Sequence, residues 1–152
     1  MNIGFMKLDP KATIPTKAHT DDLGFDLYAL EDVDILAGDV TKVRTGIAMR
    51  SPSKFFTNGL LTTLVNYGGI LKDRSSVATK QKVFVVAGVI DPQYTGEILV
   101  AFANPLNKDV MFKAGDKIAQ LVLVASHPAD AHEIFEIQPT TRADKGFGSS
   151  GT

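Results

Sequence analysis

The chain has 152 residues, of which 44% are hydrophobic and 22% charged, with a formal charge of -1 and no cysteine. This is the size of one ordinary domain, with enough apolar material for one core. The near-neutral charge leaves no basic field to hold nucleic-acid phosphates, and the lack of cysteine excludes a disulfide framework, thiolate zinc sites and cysteine nucleophiles.

The chain opens with MNIGFMKLDP, which lacks the basic start and long apolar run of a secretion signal. No stretch approaches the roughly 20 apolar residues that span a bilayer, so a cytoplasmic or otherwise soluble intracellular protein without membrane contact is expected. Short apolar runs alternate with Gly, Pro, Asn and Asp, the pattern of an all-β sandwich or barrel. In chain order the expected strands are Ile3–Leu8, Phe25–Ala29, Val40–Arg44, Gly46–Met49, Leu60–Asn66, Val83–Val89, Glu97–Asn104, Lys117–Val124 and His132–Ile137. Val83–Val89 is dominated by β-branched valines. The turn Asp91–Gly96 makes residues 83–104 a β-hairpin. Arg74–Lys80 allows one short helical turn, and no amphipathic helix of usual length stands out. The final RADKGFGSSGT carries one large apolar residue, Phe147, and by composition reads as a frayed terminus.

Three clusters carry chemistry. Asp91, Tyr94 and Glu97 crowd one turn between Gly88 and Gly96, where a carboxylate can orient and deprotonate a water. An Asp before Pro, taken alone, is more often a turn former than a catalytic group. Arg74, Ser75 and Ser76 offer a guanidinium fork and hydroxyls to phosphate oxygens, and equally read as a helix cap with exposed neighbours. Gln120 is a polar residue inside an apolar strand, a position that more often faces solvent than serves a site. Asp21-Asp22 and Asp26 lack calcium-loop spacing and read as a turn feeding a strand. His19, His127 and His132 show no zinc-ligand spacing.

Taken together and in order, the motifs resemble the trimeric dUTPase family along nearly the whole chain. They are LGFDLYA at 23–29, DRSSVA at 73–78, GVIDPQYTGEI at 88–98, GDKIAQLVL at 115–123 and RADKGFGSSG at 142–151. The resemblance implies an all-β, jelly-roll-like barrel over residues 1–141, with at most one short helix and an insertion at about 53–70. It implies that residues 142–152 form a mobile arm that closes the site. It also implies a homotrimer with three shared sites, in which dUTP is cut to dUMP and pyrophosphate with Mg²⁺ on the triphosphate. Carried over residue by residue, Asp91 resembles the general base that activates water against the α-phosphorus. Tyr94 resembles the ring under the deoxyribose. The backbone of residues 86–98, including Gly88, Val89, Ile90, Glu97 and Ile98, resembles the hairpin that reads uracil. Arg74, Ser75, Ser76 and Gln120 match phosphate- and water-binding positions. Arg142, Gly148 and Ser149 match the arm's phosphate contacts, and Phe147 its stacking ring. Asp26 matches a structural aspartate that meets the metal only through water.

The chain departs from the family pattern at Leu23, at Asp73 and in the segment before Arg74. An acidic Asp73 would repel phosphate unless it faces away or helps hold the metal. The segment between Pro52 and Arg74 is roughly a dozen residues longer than expected. Its Phe55, Phe56, Leu60, Leu61 and Tyr67 would either add a strand, pack at the trimer interface, or offer a surface to a regulatory protein. A rival enzyme of related fold, dCTP deaminase, resembles this chain in its Arg-Ser-Ser and Ile-Asp-Pro. The position of its general-base glutamate is Ala101 here, which argues against deamination.

Overall fold

A computed structural model describes residues 3–51 and 53–138 of the chain. Eleven strands account for nearly all of the regular structure: β1 Gly4–Lys7, β2 Gly24–Tyr28, β3 Val33–Ile35, β4 Val40–Arg50, β5 Ser53–Asn58, β6 Leu61–Asp73, β7 Phe84–Val86, β8 Val89–Ile90, β9 Glu97–Ala103, β10 Val110–Phe112 and β11 Lys117–Ser126. Among the described residues the one helical element is a five-residue π-type turn, Val77–Gln81, overlapping the short helical turn expected at Arg74–Lys80.

The strands form antiparallel sheets in the orders β1-β4-β9-β7 and β2-β11-β6-β5, with β8 beside β6 and a β10-β3 pair apart. The two larger sheets share one core, in the manner of a jelly roll. Strand β9 shows why. Its residues alternate between exposed or half-buried and buried positions, so that Ile98, Val100 and Phe102 are fully enclosed. Period-2 alternation is what a strand with one face on a core produces. Phe102 meets Phe112 of β10 with ring centroids 5.1 Å apart, while Leu27, Ile118 and Leu121 enter from the other sheet.

The two expected strands at 40–49 are one strand, bent by a bulge. The β4–β9 register slips between Arg44 and Ala48, at Gly46, whose φ is 65°. A side chain there would strain the backbone and also meet Ala12 Cβ at 2.8 Å, so glycine is required. Val83–Val89 is split instead of continuous. β7 pairs with β9 through Phe84↔Ala103, whereas β8 crosses to β6 through Ile70↔Val89. Ala87 at φ 60° and Gly88 at φ 94° make that turn possible.

One expected strand is absent. Residues 127–138 form no strand, and Ile134, Phe135 and Ile137 are exposed. Their apolar, β-branched content suggested a strand, but strand pairing needs a partner edge, and among the described residues this segment pairs with none. The sequence reading also missed β3, β5 and β10. Strands β5 and β6 pair from Ser53↔Asn66 to Asn58↔Leu61, so the lengthened segment is a hairpin that extends one sheet. Among the described residues, no helix is long and apolar enough to cross a membrane.

Candidate active site

The turn after β8 is closed by Tyr94 N–H donating to the Asp91 carbonyl at 3.0 Å. This contact brings Asp91 and Tyr94 to the mouth of a cleft of about 240 Å³, floored by residues 86–90 and walled by Glu97, Leu99 and Ala101. The main chain of the floor is fixed from behind, because Leu71 N–H donates to the Gly88 carbonyl at 2.8 Å. Of the expected hairpin residues, Gly88, Val89, Ile90, Asp91, Tyr94 and Glu97 all line this cleft. Ile98 does not. Its side chain is fully buried, and its carbonyl accepts the Thr45 hydroxyl at 2.7 Å. Glu97 lines the cleft, but its carboxylate accepts Gly46 N–H at 2.8 Å and pairs with Arg44 at 3.2 Å. It braces the bulge of β4.

A second cleft, of about 450 Å³, shares no lining residue with the first. Arg74, Lys80 and Lys117 give it a cationic lining, and Ser76 adds a hydroxyl. Ser76 precedes the Val77–Gln81 turn but makes no side-chain cap bond, so the capping explanation for this serine does not hold. Ser75 is exposed beside it, and its carbonyl accepts the Thr79 hydroxyl at 2.6 Å.

Behind Arg74 stands a buried carboxylate. Asp26 Oδ1 accepts Arg74 Nε at 3.0 Å and Gln120 Nε2 at 3.4 Å, while Oδ2 pairs with Lys117 Nζ at 2.8 Å. Burial alone would raise the Asp26 carboxyl. The Lys117 hydrogen bond, the charges of Arg74 and Lys117, and the Gln120 hydrogen bond outweigh it and hold the carboxyl below its ordinary value. The Asp26 hydrogen bond in turn raises Lys117. Asp26 thus orients two cations, and Gln120 is spent on the same carboxylate.

Asp73 faces away from the cationic cleft. Its Oδ1 accepts Val85 N–H at 2.6 Å, tying β6 to β7. Asp73 is not among the residues that line the cationic cleft, so its carboxylate is held outside it.

Among the described residues, no three His, Asp or Glu side chains converge to hold a metal. With both Asp26 oxygens committed to cations, these residues fit a divalent ion only as part of a metal–nucleotide complex ligated by phosphates and water. The sequence reading assigned no role to Lys117, Lys80 or Leu99. Arg142, Phe147, Gly148 and Ser149 lie outside the described residues.

A family model described as dUTPase matches residues 10–151. The deoxyuridine 5'-triphosphate nucleotidohydrolase of Corynebacterium glutamicum is 36% identical over 152 residues, covering 98% of this chain and 94% of that protein. The dUTPase of Staphylococcus bacteriophage 80alpha, solved with dUpNHpp, superposes with a TM-score of 0.81 at 23% identity, covering 99% of each chain. A mutant dUTPase from phage phi11 of S. aureus, described as coordinating a structural Mg(II) ion, superposes with a TM-score of 0.74 at 21% identity, covering 91% of this chain and 99% of that one.

Proposed function

The chain belongs to the dUTPase family, and on that premise we propose that it hydrolyses the magnesium complex of dUTP to dUMP and pyrophosphate by attack of an Asp91-activated water on the α-phosphorus. The observation that carries this reading is the turn that brings Asp91 and Tyr94 to one cleft lined also by residues 86–90. Main-chain N–H and C=O groups of that segment would recognise a uracil edge by hydrogen bonds. The Tyr94 ring, 43% exposed, offers a flat surface for the sugar. Asp91 would take the proton from water as its oxygen bonds to the α-phosphorus and the bond to the bridging oxygen breaks. Ala101 lines the cleft without a carboxylate, in keeping with hydrolysis rather than deamination.

The cationic cleft of Arg74, Lys80 and Lys117 is suited to the triphosphate, with Ser75 and Ser76 as further donors. Magnesium bound to the phosphates would neutralise charge on the leaving pyrophosphate. Gln120 and Asp26 act from behind, by orienting Arg74.

Because the two clefts share no residue, we assign the complete site to a homotrimer in which different subunits supply the base-side and phosphate-side walls. The exposed Ile134, Phe135 and Ile137 support an assembly, since apolar surface of this kind favours a covering partner. Phe55, Phe56 and Leu60 on the β5–β6 hairpin are also exposed, and we assign them to subunit contacts rather than to a regulatory partner. Residues 142–152 are assigned to closing the site, with Arg142 and Ser149 on phosphate and Phe147 on uracil.

Hydrolysis in ¹⁸O-labelled water tests the point of attack. The label is expected in dUMP. Label in pyrophosphate would place the attack on the β-phosphorus and remove Asp91 from the role given to it.

A further inference from the structure

Tyr94 does not stand freely over the cleft. Its hydroxyl donates to the Glu97 carbonyl at 2.9 Å, folding the ring back across its own turn. Glu97 is itself held, since its carboxylate accepts Gly46 N–H at 2.8 Å and pairs with Arg44. The ring therefore has a fixed anchor at its far end. What lets it lie there is the residue between. A Cβ placed on Gly96 would sit 2.6 Å from the Tyr94 hydroxyl oxygen, 2.8 Å from Cζ and 3.2 Å from Cε2. Its three nearest neighbours all belong to this one ring.

We propose that Gly96 is a specificity-determining residue for the sugar: by having no side chain, it leaves the volume in which the Tyr94 ring lies against the turn. This rests on the reading of Tyr94 as the surface under the deoxyribose. Gly96 touches no substrate and acts as a positioning residue through Tyr94.

Gly96 does not have the positive φ that would itself require glycine, so the substitution Gly96→Ala meets the ring before it meets a backbone limit. To restore ordinary contact the ring tip must retreat from 2.6 Å to at least 3.4 Å. A displacement of that size disturbs the 2.9 Å bond to the Glu97 carbonyl and moves the ring relative to the cleft. A shift near 1 Å at a positioning surface is enough to change rates by about 10²-fold. A ring in the wrong place discriminates poorly between a 2′-hydrogen and a 2′-hydroxyl, because that choice is steric.

The test is a double-mutant cycle on the dUTP-to-UTP ratio of kcat/KM, using the full chain, Mg²⁺, and a thermal melt of each variant. Gly96→Ala should lower the ratio at least about tenfold. Tyr94→Ala should lower it further. Gly96→Ala added to Tyr94→Ala should change the ratio no more, since no ring remains to displace. If Gly96→Ala leaves the ratio unchanged while Tyr94→Ala collapses it, the Gly96 proposal is overturned and the role of Tyr94 stands. If Tyr94→Ala also leaves the ratio unchanged, the reading of Tyr94 falls and takes the proposal with it. Should Gly96→Ala fail to fold, the double variant decides: recovery of the fold supports the clash with the ring, and continued failure shows that the glycine serves the backbone and overturns the proposal.

Discussion

The Lys117 ammonium stands 2.8 Å from Asp26 Oδ2 because β11 carries an extra residue between Lys117 and Ala119. Lys117 lies opposite Tyr28 and Ala119 opposite Leu27, so two steps along β11 match one step along β2. The bulge brings Lys117 and Gln120 to the same carboxylate, although regular alternation would point them to opposite faces.

That cluster gives stability a defined pH dependence. The Asp26 carboxyl lies below its ordinary value of 3.8 in the folded chain, so its stabilisation is fully present above 3.8 and lost as pH falls through the lower folded value. Asp26→Asn should lower the melting temperature by a few degrees at neutral pH, and the difference from wild type should close below that window. It should also raise KM, because Arg74 loses its orienting partner. A melting deficit unchanged down to the acid limit would show that the charge pairs do not stabilise the fold.

Asp73 separates fold from electrostatics. Asp73→Leu leaves the Val85 N–H without its acceptor and should destabilise by about 1–3 kcal/mol. Asp73→Asn retains an acceptor oxygen and should melt close to wild type. If both variants melt alike, the bond from Val85 is not what Asp73 contributes.

Much of this was legible in the sequence, for reasons that the residues make plain. Ile98–Ala103 is a short apolar run bounded by turn residues, so a strand could be read there, but its core face could not, because the outward Leu99, Ala101 and Ala103 are as apolar in type as the buried Ile98, Val100 and Phe102. Asp91, Tyr94 and Gly96 lie within six residues of one another, so their cluster survives without tertiary knowledge. The grouping of Asp26, Arg74 and Lys117 did not show, because those residues meet through strand pairing and a bulge that local pattern does not encode. The segment 132–137 misled for the opposite reason. Its apolar residues suit a strand, but pairing is not a local property.

Asp91→Asn should keep the melting temperature and lose about 10²–10⁴-fold in kcat, the usual effect of removing a general base. Turnover near wild type would mean that another group or bulk water accepts the proton.

Light scattering should give a mass three times that of the 16.3 kDa chain. A fully active sample with the mass of a single chain would exclude sites built from more than one subunit.

A chain ending at Thr141 should fold and assemble as the full chain does, yet lose most turnover, since closure and the phosphate contacts given to Arg142 and Ser149 are lost. Equal activity of the two forms would reduce residues 142–152 to the plain terminus that composition alone suggested.

The assignment of the Asp91 and Tyr94 cleft to dUTP underlies each of these expectations for turnover. Its most direct measurement is pyrophosphate release from dUTP, dCTP, dTTP and UTP, each with Mg²⁺, compared as kcat/KM. Pyrophosphate and dUMP are expected from dUTP, with the other three nucleotides slower by orders of magnitude. Release from none of the four, or equal rates for dUTP and UTP, would contradict the assignment.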